Sequence, residues 1–181
     1  MSVSDQPLVK VGAATAAEVC LRFDAPRDVR ALLRSDMGPR ELLEALAAKK
    51  QYSDAIDFLA YALPAREGTW WGGLCMQHAC GDALSPQERA AGIAAVRWVM
   101  QPTEENRVAA RAPADAAGVM SPAGLLAFSA HGGLTPGPYG PSKTVAMAVK
   151  LAVLKSPPAG IVETQRLYLE LGIGVAEGKF A

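Results

Sequence analysis

Cys75, His78 and Cys80 form the densest grouping of reactive side chains in the sequence. A thiol and an imidazole three residues apart share a helix face, which is the local geometry of a nucleophile beside its base. Adding the distant His131 supplies four sulfur and nitrogen donors, the number a structural zinc ion takes. The spacing speaks against both readings. A dyad on a helix surface has by itself no cleft and no third group to orient the imidazole. Helical directions splay Cys75 from Cys80, and the set fits no familiar zinc pattern. Glu104 and Glu105 in "PTEENR" are paired carboxylates, but after the N-cap Thr103 they complement the helix dipole and need no acid-base role. The glycines form neither GxxxxGK[ST] nor GxGxxG after a strand, and Lys143 opens a helix without a phosphate-cradling loop. The expectation is a protein that is not an enzyme and holds no metal or cofactor.

Two other segments are candidates for contact with a partner. In "LPAREGTWWGG", residues 63–73, Glu67 suits the positive end of a helix dipole and Arg66 does not, so Arg66 needs a carboxylate. Asp54 or Asp57 on the preceding helix is the favoured source; the alternative makes Arg66 an anchor for a partner's anionic group. Trp70 and Trp71 point about 100° apart, so they cannot both occupy the centre of one narrow stripe. Trp70 groups with Leu74 and Trp71 with Cys75, bridging two packing surfaces: either both fill a core that alanines leave empty, or one is a partly exposed anchor. The second segment is "HGGLTPGPYGPS", residues 131–142, too rich in glycine and proline for a regular element. It is a surface excursion with a purpose or a strap packed through Leu134 and Tyr139, with His131 and Gly132 closing the helix before it. The candidate partner-binding residues are thus Arg66, Glu67, Trp70, Trp71, His131, Leu134 and Tyr139.

The elements that carry these residues are helices. "TAAEVCLRF" and "SPQERAAGIAAVRWVM" open with capping boxes, Thr15 with Glu18 and Ser85 with Glu88, the second with Pro86 at the first helical position. Apolar residues at three- and four-residue intervals predict short helices over 26–34, 39–49 and 53–63. Further helices are expected near 65–80, 86–100, 103–117, 122–130, 143–155 and 160–177, with a kink or break near residue 112 ahead of Pro113. No segment alternates as a strand. The fold class is all-α: an irregular multi-helix bundle of about ten short helices, with stacked helical hairpins as the alternative arrangement. Residues 1–14 read as a flexible N-terminal segment and 15–181 as a single all-helical domain.

Composition agrees. The 181 residues are 50% hydrophobic and 6% aromatic, enough for one core without staples and too poor in aromatics to favour sheet. Lys plus Arg and Asp plus Glu number 18 each, so no global charge favours nucleic acid or an anionic membrane. Three cysteines without CxxC spacing, no secretory signal and no long apolar window predict a cytoplasmic protein without membrane insertion. The oligomeric state is not legible.

Four stretches in order, "AIDFLAYALPAREGTWWGGLC", "RAAGIAAVRWVMQPTEENRVAARAPADAAG", the Gly/Pro loop and "LGIGVAEG", resemble a bacterial family known only as a domain of unknown function. That family carries LPxRExxWW and WVxxPxxxNR stretches. The similarity covers most of the chain from about residue 15. Gly68 and Thr69 depart from it, standing where alanine tends to precede the tryptophan pair. The resemblance implies occurrence beside type VI secretion genes. Together the readings predict a non-enzymatic helical protein-interaction module: an adaptor, chaperone or accessory protein with a protein partner. A small-molecule or lipid-binding bundle is the alternative, and an enzyme of unknown reaction a further one.

Overall fold

The computed structural model describes residues 6–180, and within them every regular element is helical. In chain order these are α1 (Ala16–Cys20), α2 (Arg27–Arg30), α3 (Pro39–Ala48), α4 (Tyr52–Ala62), α5 (Ala65–Cys80) and α6 (Pro86–Met100). They continue as α7 (Glu104–Ala109), α8 (Arg111–Ala117), α9 (Pro122–His131), α10 (Gly140–Val153) and α11 (Ile161–Ala176), the last preceded by a 3-10 turn over Pro158–Gly160. The box expected at Ser85 forms, with Ser85 and Glu88 exchanging side-chain-to-backbone bonds, while at Thr15 only half of it does: Thr15 Oγ1 accepts from the Glu18 amide, but the Glu18 carboxylate accepts from the Ala14 amide and not from Thr15. The expected break ahead of Pro113 falls at Ala110, between α7 and α8. Proline's ring excludes a helical carbonyl four residues back, and placing Pro113 in the first turn of α8 leaves no amide wanting.

The order of packing makes this a closed bundle. α9 lies against α5, α6, α8 and α10, while α11 returns to α4 and α5, so helices distant in sequence hold the fold. One apolar core joins α1, α3, α4, α10 and α11 around Phe58, Leu59, Trp71 and Tyr168. A second joins α6, α8 and α9 around Leu125, Leu126 and Phe128. α5 is common to both, with Trp71 and Cys75 in the first and Met76 in the second. α9 is buried from Pro122 to Ala130, and this explains a sequence without an amphipathic stripe.

Of the segment 1–14, residues 1–5 lie outside the described residues. From Leu8 to Ala13 the chain has no regular structure but packs on the first core, and the Lys10 amide donates to the Ala176 carbonyl at 2.9 Å. An ion pair holds this corner: Arg40 contacts Glu177 at 2.6 Å, and Lys179 contacts the other carboxylate oxygen. The Glu177 side chain is 1% exposed, so two cations offset the burial of its charge.

Candidate functional site

The 63–73 stretch is built around α5. Leu63 ends α4 in an extended conformation, and Pro64 precedes Ala65, the first residue of α5, with no side chain capping the free amides. Trp71 is fully buried, and its Nε1 donates to the Tyr168 carbonyl of α11 at 2.8 Å. That approach depends on Gly172, one turn beyond Tyr168: a Cβ there would stand 2.6 Å from Trp71 Cε2 and 2.6 Å from Leu59 Cδ2. Gly72 similarly meets Leu126 of α9, where a Cβ would come within 2.3 Å of Cδ2. Trp71 and Gly72 are therefore the inward pair, locking α5 against α11 and α9.

Trp70 and Gly73 face the other way. Trp70 is half-buried, and its Nε1 is shielded with no hydrogen-bond partner among the described residues. Arg66 does not pair with Asp54 or Asp57. Asp57 is taken by Lys150 of α10, and Arg66 Nε instead donates to the Val99 carbonyl at 2.7 Å, in the last turn of α6. A cation on unsatisfied C-terminal carbonyls is favourable, and this bond fixes the crossing of α5 with α6.

α6 inverts the expected distribution of its apolar residues. Ala91, Gly92, Ala95 and Val99 are buried, whereas Ile93, Val96 and Met100 are 54%, 38% and 66% exposed. Close approach to α9 and α5 favours the small side chains of Ala91, Gly92 and Ala95 at the middle of the inner face; a Cβ at Gly92 would already lie 3.2 Å from the Met76 methyl. The larger residues recur at i, i+3 and i+7, an apolar ridge on the outside.

Two hollows border that ridge along the α5/α6 face. The first, of about 330 Å³, is walled by Trp70, Val99 and Met100, with Val175 and Phe180 from the C-terminal end and Lys10, Arg66 and Glu67 as its charged groups. The second, of about 400 Å³, lies between Met76 and Gln77 of α5 and Ile93 and Val96 of α6, with Arg89, Arg97 and Asp82 bordering it. Between them Gly73 opens outward: a Cβ there would meet nothing within 4 Å. Lys10, Arg66, Arg89 and Arg97 make no ion pair among the described residues.

The remaining sequence candidates lie elsewhere. His131, Leu134 and Tyr139 line neither hollow. His131 Nδ1 donates to the Arg107 carbonyl at 3.0 Å, and Arg107 Nη1 returns a bond to the His131 carbonyl. Gly132 and Gly133, both at positive φ, end α9 by donating to Phe128 O. The 131–142 loop closes at its base, where a Cβ on Gly133 would stand 2.2 Å from the Gly140 carbonyl carbon, and Leu134 N donates to Thr144 Oγ1. Leu134 packs on the second core, while Tyr139 tilts over Tyr61 with the Arg22 guanidinium 5.9 Å from its ring. α10 consequently starts at Gly140, three residues ahead of expectation.

The cysteines hold no assembled centre. Cys75 is fully buried, and burial holds its thiol well above the usual value; burial also raises Cys80. His78 Nδ1 lies 3.2 Å from the Tyr168 hydroxyl, whose pKa burial raises first and the neighbouring thiols further. Among the described residues no group of three or more His, Cys, Asp and Glu is placed to hold a metal ion. No helix among them is long and apolar enough to cross a membrane.

Arg66, Glu67 and Trp70 thus come together, while Trp71 belongs to the core. Sequence reasoning missed Lys10 and Phe180, which no local pattern marks, and the ridge on α6, whose three- and four-residue spacing was legible but whose outward direction was not. No curated protein and no solved structure matches the chain. A family model does match residues 42–176, spanning α5, α6 and the lining of both hollows except Lys10 and Phe180, and on that match the chain belongs to DUF6931, a family of unknown function.

Proposed function

We propose that this protein is a non-enzymatic helical interaction module that docks a protein partner on the α5/α6 face. The observation that carries the reading is the exposed ridge of Ile93, Val96 and Met100 between two hollows, one of them walled by Trp70. Contiguous exposed apolar surface bordered by charge is characteristic of interaction sites, and a tryptophan beside a pocket is a frequent energetic anchor. We extend the proposal to an adaptor or accessory role in a type VI secretion apparatus, the gene neighbourhood that the resemblance of the 63–71 and 98–107 stretches implies. Three unpaired cysteines support a reducing compartment, and the proposal sets the module in the bacterial cytoplasm.

The test is site-specific photo-crosslinking in the native host, with the crosslinker at Ile93 or Met100 and a control at Val162, exposed on α11. One discrete adduct from the α5/α6 positions, absent from the control, is expected; identical patterns from all three positions would refute the docking face. A second reading has its own support: the 330 Å³ hollow at Trp70 falls within the size range of small-molecule sites. Native mass spectrometry of the purified protein, showing a stoichiometric small ligand displaced by Trp70→Ala, would favour it.

A further inference from the structure

Resting on that docking reading, we infer that the partner presents an amphipathic helix with acidic flanks, laid along the α5/α6 groove. Three features specify the shape. On α5, Arg66, Trp70, Gly73 and Gln77 fall within one helical face by their four-, three- and four-residue steps, and Arg89, Ile93, Val96 and Met100 do the same on α6. Along α5, Gly73 lies between the residues of the two hollows, and a Cβ there would meet nothing within 4 Å, so no side chain interrupts the path from one hollow to the other. From Trp70 at one hollow to Gly81 at the other is eleven residues of helical rise, about 16 Å or three turns. A helix bearing apolar anchors at i, i+3 or i+4, i+7 and i+11 spans that distance and lays one face into the groove. An extended strand finds no sheet edge here, because every element of the described residues is helical.

Charge selects the flanks. Lys10, Arg66, Arg89 and Arg97 border the two hollows against two carboxylates, Glu67 and Asp82, although the chain as a whole has zero net charge. None of the four cations is committed to an ion pair among the described residues. A second copy placing the same face against this one would oppose cation to cation, which costs affinity. Glutamate and aspartate beside the partner's apolar anchors complete the pairing and give a salt-sensitive association.

The probe is an 18-residue synthetic helix with leucine at positions 4, 7, 11 and 15 and glutamate at the flanking positions, compared with the same peptide carrying lysine for glutamate. Binding to the full chain is followed by fluorescence anisotropy of a labelled peptide at low and physiological salt. The acidic peptide is expected to bind about tenfold or more tightly than the basic one. Gly73→Leu, whose Cβ enters open space and whose branched end rises into the path of the peptide, should weaken it about tenfold, and so should the pair Arg66→Glu and Arg97→Glu. Equal affinity for the two peptides, no binding of the acidic peptide, or binding indifferent to Gly73→Leu would overturn the inference. So would preferential retention on phosphatidylglycerol vesicles over the acidic peptide. If the acidic peptide fails while crosslinking from Ile93 and Met100 still yields a discrete adduct, the helix chemistry falls and the docking face stands. If both fail, the docking reading falls with it.

Discussion

Gly73 and Gly172 predict stability changes of opposite sign from the same substitution. Both are interior helical glycines, and alanine raises helix propensity by about 1 kcal/mol at each. At Gly73 the new Cβ meets nothing within 4 Å, so Gly73→Ala should stabilise by about 0.5–1 kcal/mol. At Gly172 it would stand 2.6 Å from Leu59 Cδ2 and Trp71 Cε2 and 2.8 Å from Trp71 Nε1. Ordinary carbon contacts are about 3.5–4.0 Å, so α5 and α11 must part by about 1 Å. Overpacking of that kind costs about 1–3 kcal/mol. Loss of the bond from Trp71 Nε1 to Tyr168 O adds about 1 kcal/mol. After the propensity gain, Gly172→Ala should destabilise by about 1–3 kcal/mol. Urea titrations followed by far-ultraviolet circular dichroism give both values, and melts should move up by about 1–4 °C for Gly73→Ala and down by about 2–12 °C for Gly172→Ala. Trp71→Phe in the Gly172→Ala background should recover part of the loss, because the smaller ring vacates the contested space. If Gly172→Ala is as stable as the parent, or Gly73→Ala is the more damaging, the inward and outward assignment of α5 is wrong.

Hydrogen bonds from the Ser85 backbone and hydroxyl, with a further one from Ser121, hold Glu88 below the usual carboxylate range. A lowered folded-state pKa contributes stability that is present above the unfolded value and lost as pH falls through the folded one, so Glu88→Gln, which keeps the cap, should make acid unfolding below about pH 4.5 less steep. Glu177→Gln leaves Arg40 without its buried counter-charge and should cost about 2–4 kcal/mol, measured by urea titration, with faster amide exchange at Lys10 as the N-terminal segment loosens. Labelling with a bulky thiol reagent should modify Cys80 in the native state and reach Cys75 only on unfolding; rapid native labelling of Cys75 would contradict its burial.

Much of the architecture was written locally. A hydroxyl three residues before a glutamate, a proline at the first turn and glycine at a helix end each act through backbone groups within one turn, so the predicted spans of α3, α4, α5, α6 and α9 lie within a residue or two of those observed. The start of α10 escaped this logic. Its first turn is set by Thr144, which donates to Gly140 O and accepts from Leu134, and by the close passage of Gly133 over Gly140, contacts that exist only when the loop closes.

The candidate site divides in the same way. The sequence by itself determined that the chain is helical, that Trp70 and Trp71 must face different surroundings, and that Arg66 is unfavourably placed at a helix start, where a carboxylate was expected to meet it. Only the tertiary structure decided which tryptophan is inside, that the acceptor is the Val99 carbonyl and not an aspartate, and that Ile93, Val96 and Met100 point outward. The physical reason is that helical periodicity fixes the angle between side chains but not the direction of the core. That direction was set by close packing, where Ala91, Gly92 and Ala95 let α6 approach α9 and Gly172 let α11 receive an indole, so small side chains turned inward and Ile93, Val96 and Met100 were left outside.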